Sequence, residues 1–216
     1  MTAPTFQMLL MGAPAIAKAT FLAGTRDTVT PATSHNYSLD CGIGGNVVVA
    51  LSVGTGTISS VTIGGQTATV VQQITMGGSG IRIALAAASG CPSGVQTIAV
   101  TMSTINGTWD GLTYQLEGVV NLTPTSSGND SHVTGGCSGT LSNPANGCTI
   151  GYTGCSNGGA VTWNGLTLDL EVGTGVGRSA SAHQNFTAAN AALAWSTSFG
   201  GSNNQTAAVW ASWGPT

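Results

Sequence analysis

Charge is what this chain has least of. Four Lys plus Arg and seven Asp plus Glu make up 5% of its 216 residues, where an average soluble domain carries about a quarter. A formal net charge of -3 gives little self-repulsion, so association with copies or partners is barely opposed. Lys18, Arg26, Arg82 and Arg178 are scattered singly. That excludes a phosphate-tracking groove, and nucleic acid as a partner, because such grooves need clustered cations. Long apolar runs are missing too: none approaches the roughly 18 residues of a membrane span. Motifs of chemistry are equally scarce. No G-x-S-x-G elbow accompanies His35, His132 or His183. The glycine clusters lack the strand-to-helix setting of a phosphate loop. Neither a catalytic residue nor a cofactor is expected.

What the chain does have is glycine, 33 residues of it, and 41% hydrophobic residues, enough for a sizeable core. Period-two alternation recurs almost throughout, which is the signal of half-buried strands. Val61 and Ile63 alternate with Thr62 before Gly64-Gly65, a two-residue hairpin turn that brings Ala68 and Val70 back on the same face. Ile81, Ile83 and Leu85, then Ile98, Val100 and Met102, then Leu112, Tyr114 and Leu116 continue the pattern, with Asn46 to Val53 and Ala207 to Trp213 completing the clear strands. At Asn164-Gly165 a second hairpin is expected, pairing Trp163 with Leu166 and Val161 with Leu168. Its register buries Trp163, Leu166, Leu168 and Leu170 and leaves Asp169 and Glu171 outside. Residues 184–195 read equally as a short helix or a small-residue strand. Nine or ten strands with Gly-rich turns predict an all-β, antiparallel, jelly-roll-like β-sandwich over 41–216.

Two stretches break the alternation. Residues 1–40 read as an N-terminal arm. The stretch Phe6 to Ala17 lacks the cationic start of a secretion signal, and Gly12 and Pro14 interrupt it. Its residues Phe6, Met8, Leu9, Leu10 and Met11 are too apolar to sit in water unprotected, so they are the expected assembly contact. Residues 123–157 read as one long inserted loop carrying three of the five cysteines, Cys137, Cys148 and Cys155. A disulfide between Cys137 and Cys148 would pin that loop. A zinc site from His132 and these cysteines is not expected, since the cysteine gaps of ten and six residues lack the close ligand pairs that orient thiolates together.

The remaining candidates are weaker. Asp169 and Glu171, about 7 Å apart on one strand face, have the spacing of a glycosidase pair and read better as a solvated face. Trp109 with Asp110 and Glu117, and Trp213 near the other end, are possible glycan contacts if a ring face is exposed. Asn129-Asp130 offers one carboxylate, too little for calcium. Six Asn-x-Ser/Thr sequons carry no role in a chain this rich in Ser and Thr.

Asn46-Val-Val-Val-Ala-Leu, Val61-Thr-Ile-Gly-Gly-Gln, Ile81-Arg-Ile-Ala-Leu, Trp163-Asn-Gly-Leu-Thr, Ser179-Ala-Ser-Ala and Ala207-Ala-Val-Trp-Ala-Ser-Trp are together similar in style to β-sandwich proteins of tailed bacteriophages. The likeness runs over roughly 45–216 and departs at 123–157. It implies a virion component exposed on a capsid, tail or spike, and no active site. The expected function is therefore that of a structural virion protein (capsid decoration, head spike or fibre subunit), a homo-oligomer among other virion proteins. The alternative is a glycan-binding module on a particle or cell surface, with a host glycan as partner.

Overall fold

The computed structural model describes residues 15–173, 176–201 and 205–215. Phe6, Met8, Leu9, Leu10 and Met11 lie outside them. The described chain is all-β and antiparallel, with fifteen strands and no helix among the described residues. Three sheets stack in layers.

The first sheet takes the first half of the chain: β1 (Lys18–Asp40), β2 (Gly45–Val53), β3 (Ile58–Ile63), β4 (Gln66–Thr67), β5 (Thr69–Thr75), β6 (Arg82–Cys91) and β7 (Val95–Glu117). The long strand β7 is its spine. Along one edge it bonds β1 for nearly its full length, and along the other it bonds β3 and then β2. β6 follows β2, and the β4–β5 run leads from β3 back to β6. The sheet thus curls until it is nearly closed. Its interior is aliphatic, with Val47, Val49, Leu51, Val61, Ile63, Ile98 and Val100 among the buried residues. Gly64-Gly65 turns β3 into β4 as expected, with Thr62 opposite Thr67 and φ of 57° and 83°, the positive pair a type I′ turn needs.

The sheet's outer face is buried as well. Val48, Ala50, Ile83, Leu85, Leu112 and Tyr114 pack on Ile150, Tyr152, Val209 and Trp213 of a second sheet. That sheet runs β12 (Thr167–Val172), β13 (Val176–Asn185), β10 (Cys148–Asn157), β15 (Thr206–Trp213), β8 (Ser126–His132). On its far side a third sheet, β11 (Val161–Asn164), β14 (Asn190–Phe199) and β9 (Ser138–Asn143), closes a third core around Trp163, Trp195 and Trp210.

Three expectations are corrected here. Residues 18–40 are not an arm: β1 is built into the first sheet along β7. The stretch 123–157 is not a loop, since it supplies β8, β9 and β10, and β10 is buried from Cys148 to Cys155. Its alternation is hidden because both faces meet a core. Small and hydroxyl residues let the neighbours close in. Trp163 and Leu166 pack so near Gly151 that a Cβ there would lie 2.8 and 2.7 Å from them, while Thr149 bonds Ser212 at 2.7 Å and Thr153 donates to the Ala207 carbonyl at 2.9 Å. Finally, Asn164-Gly165 does not turn a hairpin. β11 pairs with β14 and β12 with β13, so the chain switches sheets at this corner. Gly165 is required there by its φ of 85° and by the Ala194 carbonyl oxygen, which a Cβ would approach to 2.5 Å.

The side chains of β12 follow from that switch. Trp163 and Leu166 are buried as expected, but Leu168 is 42% exposed and the Asp169 side chain only 8%. An irregularity between Leu168 and Leu170 in the pairing with β13 shifts the strand's alternation by one.

Candidate functional site

The polar chemistry of the molecule collects at the seam where β13 faces β1 and β7. On β13 the odd-numbered residues Ser179, Ser181, His183 and Asn185 turn away from the third core, which takes Ala180 and Ala182. At one end of this ribbon Asn185 grips the backbone of Ala19 twice, accepting from its N–H at 2.8 Å and donating to its carbonyl at 3.0 Å.

In the middle stands Asp169. It accepts from the Tyr114 hydroxyl at 2.6 Å and pairs with His183 Nδ1 at 2.7 Å. Burial, reinforced by the Asp169 charge, raises the Tyr114 phenol well above its usual range, so it stays protonated and donates.

At the other end Arg26 forks onto Asp110, Nε to Oδ1 at 2.5 Å and Nη2 to Oδ2 at 2.6 Å, while Nη1 donates to the Gly177 carbonyl. Ser179 Oγ adds a third bond to Asp110 Oδ2 at 2.6 Å. The carboxylate is 1% exposed. The bond to Asp110 raises the Arg26 pKa against the opposing effect of burial. This pair floors a cavity of about 580 Å³ between the rim of the first sheet and β10–β13. Its walls mix the apolar Val53, Met76, Ile81 and Ile105 with polar residues such as Thr55 and Asn106.

Each of the three histidines meets an aspartate. Besides His183, His35 Nε2 lies 2.7 Å from Asp27 and its ring stacks on Trp109 with centroids 5.5 Å apart. His132 Nε2 lies 2.9 Å from Asp130, whose Oδ2 also accepts from the Ser138 N–H and so ties β8 to β9. Arg178 pairs with Glu171, which accepts from the Val161 N–H at 2.8 Å and so links the second and third sheets. A carboxylate that orients an imidazole through Nδ1 is one half of a hydrolytic triad. No serine, threonine or cysteine is bonded to Nε2 of His183 among the described residues. These groups act as ties between layers.

The residues singled out from the sequence land elsewhere. Trp109 and Trp213 are both fully buried, their indole N–H groups donating to the Asn106 and Leu122 carbonyls at 3.1 and 2.9 Å. Neither offers a ring face to a glycan. Asp169 and Glu171 bond into opposite sides of β12, so they are not a carboxylate pair. All five cysteines are buried and free. A Cys137–Cys148 bridge is ruled out by their placement: Cys148 points into the core between the first and second sheets, Cys137 into the core between the second and third. No group of three or more metal-ligating side chains gathers among the described residues.

Arg26, Asp110, Tyr114, Ser179 and His183 were not picked out as a group from the sequence. The signal available was the scarcity itself, since Asp110, between Trp109 and the alternating Leu112, Tyr114 and Leu116, needs a partner if it is buried with them. No family model, curated protein or solved structure matches the chain.

Proposed function

We propose that the protein is a structural subunit of a bacteriophage virion, a jelly-roll-like β-sandwich that works through assembly contacts on a capsid, spike or fibre. The observation that carries this reading is the end of the molecule where β1 begins. Ile16, Ile43 and Val120 are 60%, 76% and 81% exposed. They are drawn to one end by the pairing of Lys18 with Glu117, the Ile43 N–H bond to Gln115, and the Asn46 side chain on the Val119 carbonyl. In the sequence, Phe6, Met8, Leu9, Leu10 and Met11 precede Ile16 by only a few residues. Two of the seven carboxylates pair with arginines and three more meet a histidine, and with only 5% of residues charged the exterior carries few free charges to desolvate on contact. A homo-oligomer, or attachment to other virion proteins, covers such a surface.

Sedimentation of the full chain and of a chain lacking residues 1–14 tests this. The full chain should assemble and the shortened one remain a folded monomer with unchanged β-type circular dichroism. Assembly by both would move the contact away from the N-terminal segment. A full chain that stays monomeric and binds no particle overturns the reading.

A further inference from the structure

We infer that Cys41 and Cys91 are the site of a disulfide that the folded chain forms on meeting a small-molecule disulfide such as oxidised glutathione. The five cysteines divide among the three cores: Cys41 and Cys91 inside the first sheet, Cys148 alone between the first and second, Cys137 and Cys155 between the second and third. Cys41 continues the inward side of β1 after Tyr37 and Leu39. On β6 the inward residues are Ala84, Ala86 and Ala88, which by alternation would leave Cys91 outside. The irregularity between Gly45 and Val47, opposite Cys91 and Ala88, shifts that alternation and turns Cys91 inward as well.

The backbone brings the two together. Cys41 donates its N–H to the Gly94 carbonyl at 2.9 Å, and its own carbonyl accepts from Gly44 at 3.1 Å. Gly44 in turn lies so close to the Cys91 carbonyl that a Cβ would come within 2.5 Å of it, and Gly45 is the cross-strand partner of Cys91. The Cys41 thiol is pushed up to about 11 by burial first, then by Cys91 and Asp40. Gly42, Gly44 and Gly45 all have positive φ, which lets this turn fold tightly over the Cys91 backbone, so exchange reads transient opening of the turn.

The exchange balances. One cysteine thiolate attacks a sulfur of glutathione disulfide, breaking its S–S bond and expelling one glutathione thiolate. The second cysteine thiolate then attacks the protein-side sulfur of the mixed disulfide, forming the Sγ–Sγ bond and expelling the other. Two electrons pass to glutathione, and the two cysteine protons end on its thiols. Outside a reducing cell such a bond persists. The inference is independent of the virion reading.

The test incubates the full chain with oxidised glutathione at about pH 8.5, where free thiols are half ionised. Remaining thiols are then blocked in denaturant and peptic peptides are mapped by mass spectrometry without reduction. The expected result is a peptide pair joining Cys41 to Cys91, and an unfolding midpoint raised by about 5–10 °C. Cys148→Ser should keep both, and Cys91→Ser should lose both. Free Cys41 and Cys91 after prolonged incubation just below the unfolding temperature overturn the inference. So do glutathione adducts that never resolve, or a link confined to Cys137 and Cys155.

Discussion

The two halves of the chain build their sheets by different rules. Residues 18–117 fill one sheet in unbroken succession, and within it β3 pairs with β4 and β5 with β6, each the next strand in sequence. From residue 126 the strands alternate between two sheets: β8, β10, β12, β13 and β15 in the second, β9, β11 and β14 in the third. The cores differ accordingly. The first sheet encloses mostly Val, Ile, Leu and Ala, while the third core is built on Trp163, Trp195 and Trp210, with ring centroids 5.9 and 4.6 Å apart in the two contacts. The difference teaches that alternation reports which side of a strand is covered but not which strand lies beside it. At Gly64-Gly65, where the chain keeps to one sheet, the turn names the partner; at Asn164-Gly165, where it changes sheets, a similar turn signal marks a corner.

The largest effect is expected where the halves are joined. Asp110→Ala leaves the Arg26 guanidinium without its buried partner and should destabilise the protein by about 3–5 kcal/mol in urea unfolding. Because Ser179 of the second half shares that carboxylate, the loss should appear in one cooperative transition. Two separate transitions would show that the halves fold as independent units. Asp27→Ala, whose pair with His35 is partly exposed, should cost about 1 kcal/mol or less.

The sheet switch at Gly165 is tested by its flanking leucines. Leu166→Ala should cost about 2–4 kcal/mol, as a residue packed among the tryptophans. Leu168→Ser should stay within about 0.5 kcal/mol. Equal losses at both positions would restore the hairpin and break the contrast between the halves.

The smallest effect per step lies on the alkaline side. Burial pushes the Cys137 and Cys148 thiols up to about 12, whereas an unfolded thiol ionises near 8.5. Folding therefore holds them neutral. Their contribution is intact below about pH 8.5 and declines as pH climbs towards 12, by about 1 kcal/mol per thiol over the first unit. Urea midpoints measured against pH should show this slope, and Cys148→Ala should remove one thiol's share. A flat profile would mean these thiols are open to water.

Much of the first half is legible in the residues. Gly64-Gly65 and the Val61, Ile63 and Ala68 pattern give a correct hairpin, since turn and burial concern the same two strands. Leu112, Tyr114 and Leu116 are buried as expected, but so are Thr113 and Gln115, because both sides of β7 are covered. In the second half, Asn164-Gly165 misleads through a physical cause: the pairing energy of β11 lies with β14, some thirty residues on, and no local signal carries it. The seam was illegible for the same reason. Arg26 and Asp110 are 84 residues apart, His183 and Tyr114 come from different sheets, and only the rarity of charge hints that a carboxylate set among apolar residues has a designated partner.

The position of β15 has a consequence for synthesis on the ribosome. All eight of its residues are buried, and it lies between β10 and β8, supplying Val209 and Trp213 to one core and Ala208 and Trp210 to another. The first sheet has every strand it needs once Glu117 has left the exit tunnel. β8 and β10 emerge earlier than β15 and must wait, each with an open edge, and β10 with Ile150 and Tyr152 uncovered. Nascent chains stalled before Thr206 should therefore carry a finished curled sheet and a sticky, chaperone-dependent remainder, which the emergence of β15 closes in a single step.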